Sequence, residues 1–382
     1  MTTVEDLLRQ LGPRVLGVLV RRGADFASAE DAVQEALIEA VTRWPEGMPS
    51  DPQAWLVTVA WRRWLDHVRS ESARHRRERA DLEEPPPGPT EQADDTLHLL
   101  FLCCHPALSP SSAVALTLRA VGGLTTRQVA EAYLVPESTM AQRISRAKRT
   151  IAEQGLDAEG ERDLGRVLRV LYLVFNEGYG GEVDLAAEAI RLARELVGQT
   201  DDPEATGLLA LMLLHHARRA SRFAADGSLV TLADQDRSRW DTALAAEAVD
   251  LLHAALAADR LGEFQAQAAI AALHADAPSA QETDWPQVVG WYDELLALTG
   301  SPVVALNRAV AVGEADGPQA GLRALEEVPE GIPRREAAHA FLLERSGETT
   351  QAAELYARAA ARASSTAERD HLTRQAARFR SR

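Results

Sequence analysis

The stretch TTRQVAEAYLVPESTMAQRISRAKR, residues 125–149, reads as two short helices joined by a tight turn. Val129 and Ala130 take the apolar and small positions of the first helix, where an alanine lets the second helix approach closely. Val135 fills the turn. Met140, Ile144, Ala147 and Ile151 then recur at i, i+4, i+7 and i+11, an apolar stripe along the second helix. Candidate DNA contacts on its other side are Ser138, Thr139, Gln142, Arg143, Arg146, Lys148 and Arg149. Glutamine and arginine read base edges in a major groove, while threonine, arginine and lysine clamp phosphates. The pattern predicts a helix-turn-helix with a basic reading helix. Leu134 stands where such turns usually carry glycine, and a left-handed leucine is costly, so a different turn geometry is expected.

A second basic stripe lies upstream. Trp55, Trp61 and Trp64 interleave with Arg62, Arg63, Arg69, Arg74, Arg76 and Arg77. Arginines follow a phosphate backbone, and aromatic rings stack on bases or wedge between them. This composition suits a protein that meets partly melted DNA. The plainer alternative makes the tryptophans core and the arginines solvated. The formal net charge of −16 argues against nucleic acid at first sight, but its distribution matters more than its sum. Residues 61–79 hold seven arginines against three acids, and residues 137–149 hold four basic residues against one. Most of the net acidity falls after residue 155.

Around these stripes the chain predicts an all-α protein. Alanine and leucine dominate and aromatics are only 5%, which favours helices over sheets. Its 382 residues suggest two to four domains. Residues 1–80 read as one helical module. Ser28 followed by Asp31 is a capping-box-like start, and Val33, Ala36, Leu37, Ala40, Val41 and Trp44 follow at helical spacing. Residues 81–93 form an acidic, proline-rich linker that cannot pack a core. Residues 94–155 form the second module. Residues 156–382 read as degenerate helix pairs of tetratricopeptide-like (TPR-like) character. Gly313 and Gly347 lie 34 residues apart, each after an apolar helix pattern, and Ala352, Tyr356 and Ala359 follow the second in a small/aromatic/small rhythm.

Enzyme chemistry finds little support. No Walker loop, HExxH, GxSxG or dinucleotide fingerprint occurs, so no catalytic residue, metal or cofactor is expected. Cys103-Cys104-His105 invites a zinc reading, but adjacent cysteines lack CxxC geometry and sit in an apolar helix. His215 and His216 read as packing residues. Residues 208–214 are far too short an apolar run to span a bilayer, and the first nine residues lack a signal-peptide pattern. A cytoplasmic protein with no membrane partner is expected.

At this point the first 155 residues resemble the sigma-70 family of bacterial RNA polymerase subunits, in the extracytoplasmic-function (ECF) class. Asp31-Ala32-Val33-Gln34-Glu35 resembles the region 2 motif that docks on the clamp helices of the polymerase β′ subunit. Ala54-Trp55-Leu56-Val57-Thr58-Val59-Ala60, with Arg62, Leu65, Asp66 and Arg69, resembles the segment that melts and reads the −10 element. Residues 125–149 resemble region 4, which reads the −35 element. LYLVFNEGY (residues 171–179) and LADQDRSRW (residues 232–240) look typical of a subgroup with a TPR-like extension. The resemblance implies core RNA polymerase, through its β′ clamp and β flap, and promoter DNA as partners. Asp31, Gln34 and Glu35 would contact the polymerase. The acidic linker would lie in the RNA exit path.

The residues alone leave two other readings open. One is a polymerase-independent helix-turn-helix regulator with a TPR-like sensor domain. The other is a zinc hydrolase built on Cys103, Cys104 and histidines. The acidic repeat extension is expected to regulate or assemble the protein, through intramolecular contact with the two modules. Asp234, Asp236, Arg237 and Arg239 are expected to tie helices together, and Phe175, Asn176 and Glu177 to end a helix on a Gly178 cap.

Overall fold

Among the described residues, leucine- and alanine-rich segments form eighteen α-helices and no strand occurs. The computed structural model describes residues 4–74, 95–133, 135–154, 163–177, 184–224, 228–363 and 366–380. The linker at 81–93, Arg76, Arg77, Leu134 and Gly178 lie outside them, as does the side chain of Arg74. The chain divides into two units, Met1–Gln199 and Thr200–Arg382.

Unit 1 begins with α1 (Val4–Arg21), α2 (Phe26–Arg43) and α3 (Pro52–Arg74) packed pairwise on one another. Their core holds Leu16, Leu19, Phe26, Val33, Ala36 and Leu56. The start of α2 differs from the expected capping box. Asp25 is the cap and accepts the Ser28 backbone N–H at 3.0 Å. Ser28 lies one turn inside, where its hydroxyl accepts the Trp64 indole N–H at 2.9 Å. An aspartate three residues before a free N–H outcompetes the serine because a carboxylate is the stronger acceptor.

The unit continues with α4 (Asp95–Cys103), α5 (Pro110–Ala120), α6 (Thr126–Ala132) and α7 (Glu137–Gln154). Then come α8 (Leu164–Glu177) and α9 (Leu185–Gln199). The α8–α9 pair does not stand apart: α8 packs on α4 and α5. Val167, Leu168, Val170, Leu171, Val174 and Phe175 are its buried face. The boundary read at 155/156 thus falls inside unit 1.

Unit 2 starts at α10 (Pro203–Ala217), a helix buried on nearly every side by α11 (Thr242–Leu256) and α12 (Glu263–Asp276). Gly207 permits a close crossing of α10 and α12, since an added Cβ would meet the Gln265 backbone nitrogen at 2.9 Å. Beside it, the Glu204 carboxylate accepts the Phe264 and Gln265 backbone N–H groups at the start of α12. The loop before α11 is tied down by Arg237, which donates to the His274 and Ala277 carbonyls at the end of α12 and covers the Trp240 ring. Asp236 caps the short turn that carries Arg237. Asp234 accepts the Thr231 hydroxyl.

From α12 onward each helix packs on the next: α13 (Trp285–Thr299), α14 (Pro302–Ala315), α15 (Pro318–Glu326), α16 (Arg335–Ser346), α17 (Thr349–Arg362) and α18 (Thr366–Arg380). The two glycines that suggested a 34-residue period do different jobs. Gly313 lies inside α14, where it and Gly321 let α14 and α15 touch beneath Leu342. Gly347 caps α16 in the left-handed conformation at φ +92°. The small/aromatic/small rhythm after it is real, with Ala352, Tyr356 and Ala359 buried.

Candidate nucleic-acid interface

The helix-turn-helix is α6 and α7. Thr125 caps α6 through a full capping box with Gln128. Its turn closes with the Val135 N–H on the Ala130 carbonyl at 3.0 Å. Val129 and Ala130 are buried, as are Met140, Ile144, Ala147 and Ile151 of α7. On the other side of α7, Ser138, Thr139, Gln142, Arg146 and Arg149 are exposed, while Arg143 is half-buried. Lys148 has a different setting. Its side chain is only 15% exposed and its ammonium donates to the carboxylates of Glu30 and Asp31 on α2.

In α3 the tryptophans and arginines separate. Trp61 and Trp64 are core residues, with ring centroids 4.7 Å apart. Arg22 lies over the Trp61 ring. Trp55 is half-buried and meets Trp44 edge-on at 5.7 Å. Arg62, Arg63 and Arg69 are exposed. Arg63 reaches Glu39 at 3.0 Å and Glu35 at 3.7 Å, and the hydrogen bond to Glu39 raises its pKa. The sequence reading treated the interleaving as one stripe. Helical geometry splits it, because Trp61 and Trp64, three apart, point inward while the two arginines between them point out.

The face of α2 opposite Val33, Ala36 and Ala40 carries Asp31, Gln34 and Glu35. Asp31 is exposed, and Gln34 and Glu35 are half-buried. Glu35 Oε1 also lies 3.2 Å from His67 Nε2. Two apolar side chains extend this face: Ile38 is 68% and Val41 53% exposed. The sequence reading placed Val41 in the apolar stripe and passed over Ile38. Their phase was the available signal, since both fall off the 33/36/40/44 repeat.

Glu30, beside this face, is 3% exposed and bridges the two modules. Lys148 of α7 donates to its Oε2. Arg119 of α5 brings Nη2 to 2.9 Å from its Oε1, within ion-pair range but off hydrogen-bond geometry. Arg119 also donates to the Leu124 carbonyl, which leads into α6. The α8–α9 pair holds α5 at both ends. Arg166 donates to the Leu108 carbonyl and Arg191 to the Val121 carbonyl. Burial and the Glu177 carboxylate push the Tyr133 phenol up at the end of α6.

The residues behind the zinc reading are packed away. Cys103 and Cys104 are buried, and burial pushes the Cys104 thiol up to about 12. Burial and then nearby arginines hold His215 down at about 3. Among the described residues no group of three His, Cys, Asp or Glu is placed to hold a metal, and no helix is long and apolar enough to cross a membrane.

Two helical modules pack on each other, and the second ends in a helix with an exposed basic face. Residues 7–74 match Sigma-70 region 2 and residues 98–151 match Sigma-70, region 4. Residues 163–256 match a family of unknown function (DUF6596). The chain is 40% identical to an uncharacterized protein of Rhizobium meliloti (strain 1021), over 95% of this chain and 92% of that protein. It is 30% identical to the probable ECF RNA polymerase sigma factor SigI of Mycobacterium tuberculosis, over 47% of this chain and 69% of that one. The ECF RNA polymerase sigma factor SigJ of the same species is 32% identical over 41% of this chain and 52% of its own length. No solved structure matches. The chain belongs to the sigma-70 family of RNA polymerase sigma factors, in the ECF class. Region 2 is α1–α3 and region 4 is α4–α7, and these domains imply core RNA polymerase and promoter DNA as partners.

Proposed function

We propose that this sigma factor docks on the β′ clamp of core polymerase through α2, with Asp31, Gln34 and Glu35 as polar contacts and Ile38 and Val41 as the apolar centre. Exposed apolar side chains ringed by charge are what a protein interface looks like before its partner arrives. Arg62, Arg63, Arg69, Arg74, Arg76, Arg77 and the partly accessible Trp55 handle the −10 DNA. Trp61 supports that surface from within. Region 4 meets the β flap and reads the −35 element with Ser138, Thr139, Gln142, Arg143, Arg146 and Arg149. The carrying observation is the exposed polar face of α7 set against its buried Met140–Ile144–Ala147–Ile151 stripe. The helical extension regulates or assembles this reader, and the grip of α8 and α9 on α5 supports that role. The protein works in the cytoplasm, where the polymerase is.

Transcription in vitro with core polymerase on a candidate promoter tests the reading. Run-off product is expected with the full chain, and an Ile38→Asp, Val41→Asp variant should bind core polymerase at least tenfold more weakly, as loss of a central contact does. Full activity in that variant removes α2 as the docking face. Failure of the full chain to co-purify with core polymerase favours the polymerase-independent regulator.

A further inference from the structure

Residues 200–348 carry twenty-four acids against eleven arginines, yet five of those arginines fall between positions 218 and 239. The stretch that holds them joins α10 to α11, and its end is pinned back on its start. Asp241 donates its backbone N–H to the Ala217 carbonyl, and the Trp240 indole donates to the Ser221 hydroxyl, both at 2.8 Å. The charge of Arg218 reaches two imidazoles, His215 near the end of α10 and His274 near the end of α12. Arg222 also acts on His215, and Arg237 on His274. Three arginines and two histidines therefore meet where α10 and α12 end, and all five residues are half-buried.

Helix capping accounts for part of this cluster. The C-terminal end of a helix carries partial negative charge and favours cations. Arg237 uses that end through Nη1, on the His274 and Ala277 carbonyls. Capping does not account for Nη2 of the same guanidinium, which is shielded from water and has no hydrogen-bond acceptor. Two further shielded atoms lack partners close by, Gln235 Oε1 and Thr283 Oγ1. These residues are 8% and 6% exposed, and each follows one of two turns, Leu232–Asp234 and Ala280–Glu282, that pack on each other. The neighbouring carboxylates are engaged elsewhere: Asp236 by the Ser238 N–H and hydroxyl, Asp241 by the Leu244 N–H. A shielded cationic donor without an acceptor is strongly disfavoured, and an anion is the group that relieves it.

We propose that unit 2 holds a binding site for a small oxyanion, a carboxylate or a phosphate ester, formed by Arg218, Arg222 and Arg237 with His215 and His274. A guanidinium presents paired donors that match two oxygens of either group. Arg237 is held in advance by its two carbonyls and by Trp240, whose ring centroid lies 4.6 Å from its Cζ, so little side-chain freedom is lost on binding. Each uncharged imidazole has one N–H to offer. Gln235 Oε1 is an acceptor, so the ligand carries a hydroxyl or N–H beside its oxyanion. The site is made from unit 2 alone and does not rest on the sigma-factor reading.

Thermal melting of the full chain with phosphate or citrate, against sodium chloride at equal ionic strength, tests the site. At least one of the two should raise the melting temperature along a saturable curve, and the tighter one identifies the group recognised. By calorimetric titration, Arg222→Gln should weaken that binding by about tenfold or more, as loss of a charged hydrogen bond does. Arg218→Gln gives the same readout where Arg222→Gln fails to fold. Arg323→Gln, at an exposed position of α15 outside the cluster, should bind as the parent chain does. In the parent chain the bound anion should move the proton resonances of His215 and His274 and leave that of His339 on α16 in place. If both anions act no differently from chloride, the site is wrong. Equal losses in Arg323→Gln and Arg222→Gln, or binding that leaves the His215 and His274 resonances unmoved, also overturn it. No arm uses polymerase or DNA, so failure here leaves the sigma-factor reading intact.

Discussion

Trp61 and Arg62 are adjacent, and one is buried while the other is exposed. Trp61→Ala is expected to cost about 3–5 kcal/mol of stability through the cavity it leaves. Arg62→Ala should stay within about 0.5 kcal/mol yet reduce promoter opening. Thermal melting and a promoter-opening assay on both variants check this; equal melting temperatures would overturn the core assignment of Trp61. A second residue-scale prediction concerns pH. His215 and His274 are held neutral at about 3 and about 4, chiefly by burial and then by nearby arginines. In the unfolded chain they titrate near 6.5, so between pH 6.5 and 4 the unfolded state binds protons that the folded state refuses. Stability therefore falls as pH drops, by about 1.4 kcal/mol per pH unit for each histidine. Denaturant unfolding at pH 7, 6 and 5 should show that slope, and His215→Gln should flatten it by roughly half its value. His215 was legible as a packing residue because the helix around it is apolar. Its suppressed charge was not, because Arg218, Arg222 and His274 gather around it only in three dimensions.

At the scale of elements, α7 was the most legible part of the chain. Its buried stripe follows directly from the 3.6-residue period, and Met140, Ile144, Ala147 and Ile151 are all buried. Lys148 escaped that logic. It sits one residue from Ala147 at the edge of the stripe, and whether such a residue meets DNA or protein depends on what lies beside the helix. Arg146 carries the contrasting prediction. It is exposed and reaches Gln142 along the helix at 3.5 Å, so the two present one polar surface. Arg146→Ala is expected to cost about 1–3 kcal/mol of promoter affinity and to relax the preference for one base in the −35 element. Binding assays by the holoenzyme on a panel of substituted promoters measure it. A loss that is uniform across sequences would reassign Arg146 to the phosphates. The glycines show the opposite limit of sequence reading. A repeat count placed Gly313 and Gly347 in register, but one serves a helix crossing and the other a left-handed cap. Composition cannot tell these apart, because both jobs need the absence of a Cβ.

At the scale of the whole molecule, the two sigma regions and the all-α class were readable from motif order and composition. The extension was read as starting at residue 156, and the family matched there starts at residue 163. The polar segment after α7 looks like a boundary, yet the next two helices bury their apolar faces in unit 1. A chain cut after residue 155 therefore leaves α4 and α5 without α8. It is expected to melt lower and to aggregate more readily than a chain cut after Gln199, as an uncovered apolar face does. Scanning calorimetry and light scattering on the two truncations settle the order. Identical behaviour would mean that α8 and α9 add no support to region 4.

Glu30 also bears on how such a protein can be rewired. Promoter choice invites redesign by transplanting a recognition helix from a relative, as though it were a detachable reading head. In this chain the transplant brings with it whatever residue stands at position 148. An apolar or acidic side chain there leaves Glu30 with Arg119 alone, and the graft harms the resting protein before any promoter is offered. The remedy lies in α2, at a carboxylate that never touches DNA. New specificities would be moved between these proteins as matched pairs of α2 and α7, and a library that varies both together would recover more working chimeras than one that varies α7 alone.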